Sequence, residues 1–103
     1  MNRLLISGFI ALLILACSRK ETSTESTGAI VDGAAVYKKN CVLCHGKDGN
    51  LGVNGSKDIR ASVLTKAERI ELITHGRKLM TPFKGVLSED EIKAVAQYTM
   101  TMK

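Results

Sequence analysis

From residue 31 to residue 103, hydrophobic positions recur with the spacing of α-helices, and no stretch alternates as a half-buried strand would. Asp32 precedes the first helical stretch and can cap it, because its carboxylate can accept hydrogen bonds from the free N–H groups of a first turn. The first helix is predicted to continue through Cys44. One face of it carries Gly33, Tyr37, Cys41 and Cys44.

Two capping boxes predict two further helices. Thr65 with Glu68 begins the second helix, which Gly76 can end. Ser88 with Glu91 begins the third helix, which is predicted to run to the C-terminus. The inward-facing positions are predicted to be Ala67, Ile70 and Ile73 in the second helix and Ile92, Val95, Ala96, Thr99 and Met102 in the third. Residues 31–103 are therefore predicted to form an all-α domain of three helices joined by loops.

Residues 1–16 form a hydrophobic segment of another kind. Arg3 precedes a mostly apolar run from Leu4 to Ala16, which has the shape of a secretion signal and is too short to cross a bilayer as a helix. The run ends in Ile14-Leu15-Ala16-Cys17, which resembles a bacterial lipobox, in which the cysteine is acylated and becomes the first residue of the mature protein. Leu15 is less usual there than a small residue, so ordinary signal cleavage and an uncleaved anchor stay open.

The segment at 17–30 is predicted to be a lipid-anchored flexible tether. Ser18 to Gly28 has no apolar side chain and is rich in Ser and Thr, so it cannot bury enough surface to order itself. A flexible tether of this length reaches about 20 Å. We expect Cys17 to carry the lipid on the periplasmic or another extracytoplasmic side of a bacterial membrane, with the domain moving between membrane-bound partners.

The run Cys41-Val42-Leu43-Cys44-His45 carries the most specific chemical signal, because Cys-x-x-Cys-His is the attachment motif of a c-type haem. The spacing puts both sulfurs on one side of a helical turn, within reach of the two haem vinyl groups. His45 is held beside the ring, where its imidazole can reach the iron. One covalent haem c per chain is predicted, bound through Cys41 and Cys44, with His45 as an axial ligand.

Zinc is the competing interpretation of the same residues. Four N/S ligands, the number that a closed structural zinc site requires, would come from Cys41, Cys44, His45 and His75. Adjacent Cys44 and His45 rarely both face one metal. The sequence therefore favours haem.

A haem would also supply apolar mass to a domain that is short of it. Only 4% of the residues are aromatic, which makes a thin core. The long loop from Gly46 to Leu64 is predicted to wrap the cofactor. The side chains expected to surround it are Leu51, Val53, Ile59, Leu64, Leu79, Phe83, Val86 and Leu87.

With these residues in place, the chain resembles the small class I cytochromes c of bacteria over Val31 to Lys103. The matching residues are Gly33, Tyr37, Cys41, Cys44, His45, Gly46, Asp48, Gly49, the segment 80–83, Val95 and Tyr98. The resemblance implies a cytochrome c fold wrapped around a covalent haem, with the first and last helices crossing at Gly33, Tyr37, Val95 and Tyr98. It also implies that Met80 is the second axial ligand of the iron.

The chain itself supports Met80. This residue lies in a loop after Gly76, with Pro82 to stiffen the turn, and a thioether is a suitable haem ligand. His75 is the competing ligand, although a His in the last turn of a helix is already explained by the helix dipole. Met100 and Met102 are expected to pack. The chain lacks a Pro shortly after His45, so the resemblance does not identify the backbone carbonyl that orients the His45 ring.

An iron bound by both His45 and Met80 has no open position for a substrate. The expected function is therefore that of a single-electron carrier between redox proteins or membrane oxidoreductases, and not that of an enzyme. Two alternatives stay open: a displaceable distal ligand would permit peroxidase or gas-sensor chemistry, and the domain could be a fixed electron-entry subunit of an oxidoreductase complex.

Basic residues flank the predicted haem edge. We call the set Lys38, Lys39, Lys47, Arg77, Lys78 and Lys84 the basic rim. It is expected to steer the haem edge to an acidic patch on a partner protein, and no nucleic-acid partner is expected. The alternative is an ordinary solvated surface, since the formal net charge of the chain is only +5.

Overall fold

A computed structural model describes residues 29–103 of the chain. The predicted signal at 1–16, the lipidation residue Cys17 and the tether as far as Gly28 lie outside the described residues. The described part contains four α-helices, α1 (Gly33–Asn40), α2 (Val42–His45), α3 (Lys66–His75) and α4 (Glu89–Thr99). Two short 3-10 turns, Val53–Gly55 and Ile59–Ala61, lie in the loop between α2 and α3. The all-α prediction is confirmed.

The first predicted helix is divided at Cys41, so its expected continuity is wrong at that residue. Asp32 caps α1 as predicted, and its carboxylate accepts hydrogen bonds from the N–H groups of the first turn. The chain flattens at Cys41, where φ is −115°, outside the usual helical range. The helical course resumes because the N–H of His45 donates to the Cys41 carbonyl at 3.0 Å. The Cys-x-x-Cys segment therefore sits on its own short turn.

Both predicted capping boxes are present. The hydroxyl groups of Thr65 and Ser88 accept from backbone N–H groups of α3 and α4, and the Glu68 and Glu91 carboxylates accept from the N–H groups of the two capping residues. Helix α4 ends at Thr99 rather than at the C-terminus. Its last turn tightens to i→i−3 hydrogen bonds, which close the helix.

The core lies where α1 crosses α4. Val95 and Ala96 are completely buried and pack with Val36, Tyr37, Ile73 and Ile92. The Tyr37 and Tyr98 rings meet at 5.4 Å between centroids with a 55° tilt. The predicted crossing of the first and last helices at these positions is confirmed.

Helix α3 departs from its predicted inward face. Ile73 is buried and Ile70 is partly buried, but Ala67 is exposed. Arg69 is buried instead, and its guanidinium donates to the backbone carbonyls of Ser62, Leu64 and Thr99 at 3.0–3.2 Å. These three hydrogen bonds satisfy the buried cation and tie the end of the long loop to the end of α4. The hydrophobic periodicity of the sequence does not reveal Arg69 as a core residue, because arginine side chains are mostly exposed in folded proteins.

No helix within residues 29–103 is long and apolar enough to cross a bilayer. The longest one, α4, has 11 residues, whereas a membrane-spanning helix needs about 20.

Candidate haem site

The two cysteines of the motif flank the start of α2 as half-buried free thiols. Burial raises the pKa of the Cys41 thiol to about 11, with a smaller contribution from the charge of Cys44. Cys41 is therefore a neutral thiol at physiological pH before any attachment. That is the form in which an S–H group adds across a vinyl C=C bond to give a thioether.

The His45 ring is oriented by a backbone carbonyl that the sequence did not identify. Its Nδ1 lies 3.2 Å from the carbonyl oxygen of Lys57, 12 residues further along the chain. A carbonyl oxygen can only accept, so Nδ1 must carry the proton. This tautomer leaves the lone pair of Nε2 free for a metal ion. The long loop thus supplies the group that orients the His45 ring.

The same loop also holds the backbone around His45. The N–H of Leu51 donates to the His45 carbonyl at 2.9 Å, and the N–H of Ile59 donates to the Gly49 carbonyl at 2.9 Å. The two bonds close the loop on itself directly after His45. Sequence reasoning missed these partners because backbone groups carry no side-chain signal.

Gly46 ends α2 at a position where a side chain does not fit. Its φ is +77°, and a Cβ there would lie 2.7 Å from the Cβ of Leu51. The buried hydroxyl of Tyr37 donates to the Gly46 carbonyl at 2.7 Å. Burial is the main cause that raises the pKa of Tyr37 to about 12, so this hydroxyl stays protonated and keeps donating. The end of the motif is therefore fastened to α1.

Met80 lies at the end of a tight turn after α3. Backbone hydrogen bonds join Arg77 and Met80 in both directions, at 2.9 and 3.2 Å. The turn approaches Gly76 so closely that a Cβ there would lie 2.8 Å from the nitrogen of Pro82. The Met80 side chain is partly buried against the core. The hydrogen bonds of the turn and its close approach to Gly76 therefore hold the loop that carries the Met80 thioether against the core.

The competing ligands are engaged elsewhere. Nε2 of His75 lies 3.5 Å from a carboxylate oxygen of Glu71 on an exposed part of α3. The sulfur of Met102 packs over Gly49, where an added Cβ would lie 3.2 Å from it. Within residues 29–103, no three His, Cys, Asp or Glu side chains are placed to hold a metal ion together. The geometry of the described residues gives zinc no support.

The apolar residues predicted to surround the haem divide into two groups. Ile59, Leu64, Phe83 and Leu87 are partly buried, whereas Leu51, Val53, Leu79 and Val86 are exposed. Exposed large apolar side chains can mark a ligand site. Two thiols on one turn, an oriented imidazole, a thioether loop and these apolar side chains fit a haem.

Comparisons with known proteins decide the family. A family model described as cytochrome c oxidase, cbb3-type, subunit III matches residues 28–98. Cytochrome c6 of Aphanizomenon flos-aquae is 37% identical over an alignment that covers 68% of this chain and 86% of that protein. This chain belongs to the cytochrome c family.

Other relatives of this cytochrome c agree in sequence and in fold. Cytochrome c6 of Leptolyngbya boryana is 34% identical, with 66% of this chain and 86% of that protein covered. The solved structure of the c-type cytochrome KustC0563 is 29% identical and superposes with a TM-score of 0.65 over 71% of this chain and 99% of that one. The chain accordingly carries a covalently bound haem c and acts as a monohaem electron carrier.

Proposed function

We propose that this cytochrome c carries single electrons between redox proteins on the extracytoplasmic side of a bacterial membrane, with its haem attached to Cys41 and Cys44 and its iron bound by His45 and Met80. The observation that carries the proposal is the hydrogen bond from His45 Nδ1 to the Lys57 carbonyl. It leaves the lone pair of Nε2 free for a metal ion. The rigid loop around Met80 supports a thioether as the opposite ligand.

The proposed ligand set explains why the protein would transfer electrons and not catalyse a reaction. When bound, the haem supplies an iron that accepts and releases one electron. His45 is held by the Lys57 carbonyl and Met80 by its tight turn, so neither side chain has to move when the charge of the iron changes. If both His45 and Met80 bind the iron, no position on it would be left for a substrate. We therefore propose that the protein is not an enzyme.

The charges of the described residues support an acidic docking patch on the partner. None of the six basic-rim residues forms an ion pair within residues 29–103. Seven of the eight side-chain carboxylates within residues 29–103 are engaged elsewhere: Asp32, Asp58, Glu68, Glu71 and Glu91 cap helices or pair within their own segment, and Glu89 and Asp90 lie near Lys93. The eighth, Asp48, follows Lys47 in the chain and offsets part of the charge of the basic rim. The uncompensated positive charge would speed encounter with an acidic surface.

The N-terminal part completes the proposal. Residues 1–16 would direct export, Cys17 would carry a lipid, and 17–30 would tether the haem domain at 31–103 to the membrane. A lipid anchor and a tether of this kind would keep the carrier near membrane oxidoreductases and would still let it turn its haem edge to each one.

A fixed subunit is the second candidate, because the matching family model is described as a subunit of an oxidase. The chain nevertheless covers 86% of the length of a cytochrome c6, a protein of similar size. We therefore favour the mobile carrier. Extraction of the native membrane with mild detergent separates the two, since a carrier is released alone and a subunit co-purifies in a stable complex.

Intact-protein mass spectrometry tests the haem attachment. Wild-type protein should carry the mass of one haem that survives denaturation, and Cys41→Ala with Cys44→Ala should abolish it. Cys17→Ser is the matched control, because it removes the third cysteine and should leave the haem in place. Loss of haem in the Cys17 variant, or covalent haem in the double variant, would contradict the assignment.

A further inference from the structure

An ion pair stands directly next to the carbonyl that orients His45. The carboxylate of Asp58 accepts two hydrogen bonds from the Arg60 guanidinium, at 3.1 Å from Nε and 3.0 Å from Nη2. It also accepts the backbone N–H of Arg60 at 2.9 Å. The side-chain hydrogen bond from Arg60 is the main reason that the pKa of Asp58 lies below its usual range. The two side chains therefore form a bidentate pair, with two parallel hydrogen bonds, whereas isolated surface ion pairs usually lack this geometry. We call this pair the clamp.

The clamp fixes the peptide that carries the Lys57 carbonyl. Asp58 caps the 3-10 turn Ile59–Ala61, so the direction of the chain at Asp58 is set by its own side chain. On the far side, the N–H of Ile59 donates to the Gly49 carbonyl at 2.9 Å. The Lys57–Asp58 peptide therefore has little freedom to rotate its carbonyl away from His45.

We propose that Asp58 and Arg60 are positioning residues that tune the reduction potential of the haem iron, by holding the Lys57 carbonyl in line with Nδ1 of His45. The inference rests on the proposed ligation of the iron by His45. Neither Asp58 nor Arg60 has a hydrogen bond to the imidazole within residues 29–103, so the proposed effect runs through the orientation of the Lys57 carbonyl.

The direction of the effect follows from the chemistry of the imidazole. A hydrogen bond accepted from Nδ1–H makes the ring a more basic ligand. A more basic ligand favours the ferric iron over the ferrous iron and lowers the potential. Loosening the Lys57 carbonyl weakens this bond, and the potential should rise.

Two variants separate positioning from simple charge. Asp58→Ala and Arg60→Ala both break the clamp, so both should raise the potential, by a twofold to about tenfold change in the ferric-to-ferrous ratio; tenfold is about 59 mV for one electron. If the pair acted only through its charges, the two variants would shift the potential in opposite directions. Loss of the Arg60 cation would lower the potential, and loss of the Asp58 anion would raise it. Measurement at about 1 M salt, where the Debye length is about 3 Å, suppresses what remains of the charge effect.

Glu89→Ala and Lys93→Ala are the matched controls. This pair lies on α4 with a separation of 3.9 Å and has no connection to the long loop. Neither control should change the potential. Proton NMR of the holoprotein gives a second readout, because the His45 Nδ1 proton should exchange faster with solvent in both clamp variants and at the wild-type rate in both controls.

The possible results distinguish this inference from the proposed function. A wild-type His45 ring proton without the large shift caused by a bound ferric iron would overturn both. If that shift is present but the two clamp variants leave the potential and the exchange rate unchanged, or move the potential in opposite directions, the positioning role is wrong and the ligation stands. A higher potential with faster exchange in both variants establishes the role.

Discussion

The backbone of Gly33 lies directly against the carbonyl group of Ala94 where α1 crosses α4. A Cβ on Gly33 would overlap the carbonyl oxygen of Ala94 and lie 2.7 Å from its carbon atom. It would also lie 3.0 Å from the Cβ of Tyr98. The absence of a side chain therefore sets the distance between the two helices that form most of the core.

Gly33→Ala should destabilise the protein, although Ala is the better helix former by about 1 kcal/mol. The added methyl group pushes α1 away from α4, and overpacking of this kind costs about 1–3 kcal/mol. Denaturant unfolding of the holoprotein measures the change. Gly85→Ala is the control. Its φ of +79° strains the backbone of an alanine, but the added Cβ has no neighbour within 4 Å, so this variant has no overpacking. An unchanged or raised stability of Gly33→Ala would contradict the close crossing.

Local signals in the sequence were sufficient for the helix starts. Asp32, Thr65 and Ser88 each cap a helix with their own side chain, so the information lies within four residues. The crossing at Gly33 was also predictable, from the family resemblance. The break at Cys41 was not, because no Gly or Pro marks it and its φ of −115° is a property of the whole motif turn.

The sequence did not predict the backbone groups that bind the site residues, because these contacts depend on the folded backbone. The carbonyl of Lys57 orients His45, but any residue in the long loop could have supplied a carbonyl. Arg69 is buried because two carbonyls of the preceding loop and one at the end of α4 converge on it. Side-chain identity predicts chemistry at the motif, and only the folded backbone shows what holds the motif in place.

Tyr37→Phe should make the protein less stable at neutral pH and less sensitive to alkali. The variant removes the hydrogen bond of the Tyr37 hydroxyl to the Gly46 carbonyl, which still accepts from the N–H of Gly49 at 3.2 Å, so the loss is about 0.5–1.5 kcal/mol. In the wild type, burial raises the pKa of Tyr37 from 10 to about 12. Between these values the unfolded chain has lost the Tyr37 proton and the folded chain keeps it, so stability falls as the pH rises.

Far-UV circular dichroism during unfolding at pH 9 and pH 11.5 measures this difference. The wild type should lose more stability between the two pH values than Tyr37→Phe does. Tyr98→Phe serves as the control, since the Tyr98 hydroxyl has no hydrogen bond within residues 29–103 and the variant should follow the wild type. Equal alkaline losses in wild type and Tyr37→Phe would disprove the assigned cause.

Electron transfer to the physiological partner should slow as the ionic strength rises, because salt screens the long-range attraction proposed for the basic rim. Lys78→Glu and Lys84→Glu should slow transfer more than Lys103→Glu does, since the first two flank Met80. Stopped-flow absorbance at low and high salt gives the rates. Salt-independent rates, or equal effects of all three substitutions, would show that the basic rim is an ordinary solvated surface with no steering role.

Membrane attachment should depend on Cys17. Mass spectrometry of the mature protein is expected to show an acylated N-terminal Cys17, and Cys17→Ser should move the protein from the membrane fraction to the soluble fraction. Recovery of an unmodified soluble chain from cells with the wild-type sequence would rule out the lipid anchor. The haem content of Cys17→Ser should equal that of the wild type.

The central claim, an electron carrier whose iron is closed by His45 and Met80, is tested most directly by exposing the ferrous protein to carbon monoxide and recording its spectrum. Wild-type protein and Met102→Ala should not bind the gas, because Met80 fills the distal position in the proposed ligand set and Met102 packs over Gly49. Met80→Ala should bind it, and its ferric form should lack the sulfur-to-iron absorption band. Rapid binding to the wild type, or a Met80→Ala spectrum identical to the wild type together with an altered His75→Ala spectrum, would contradict the account.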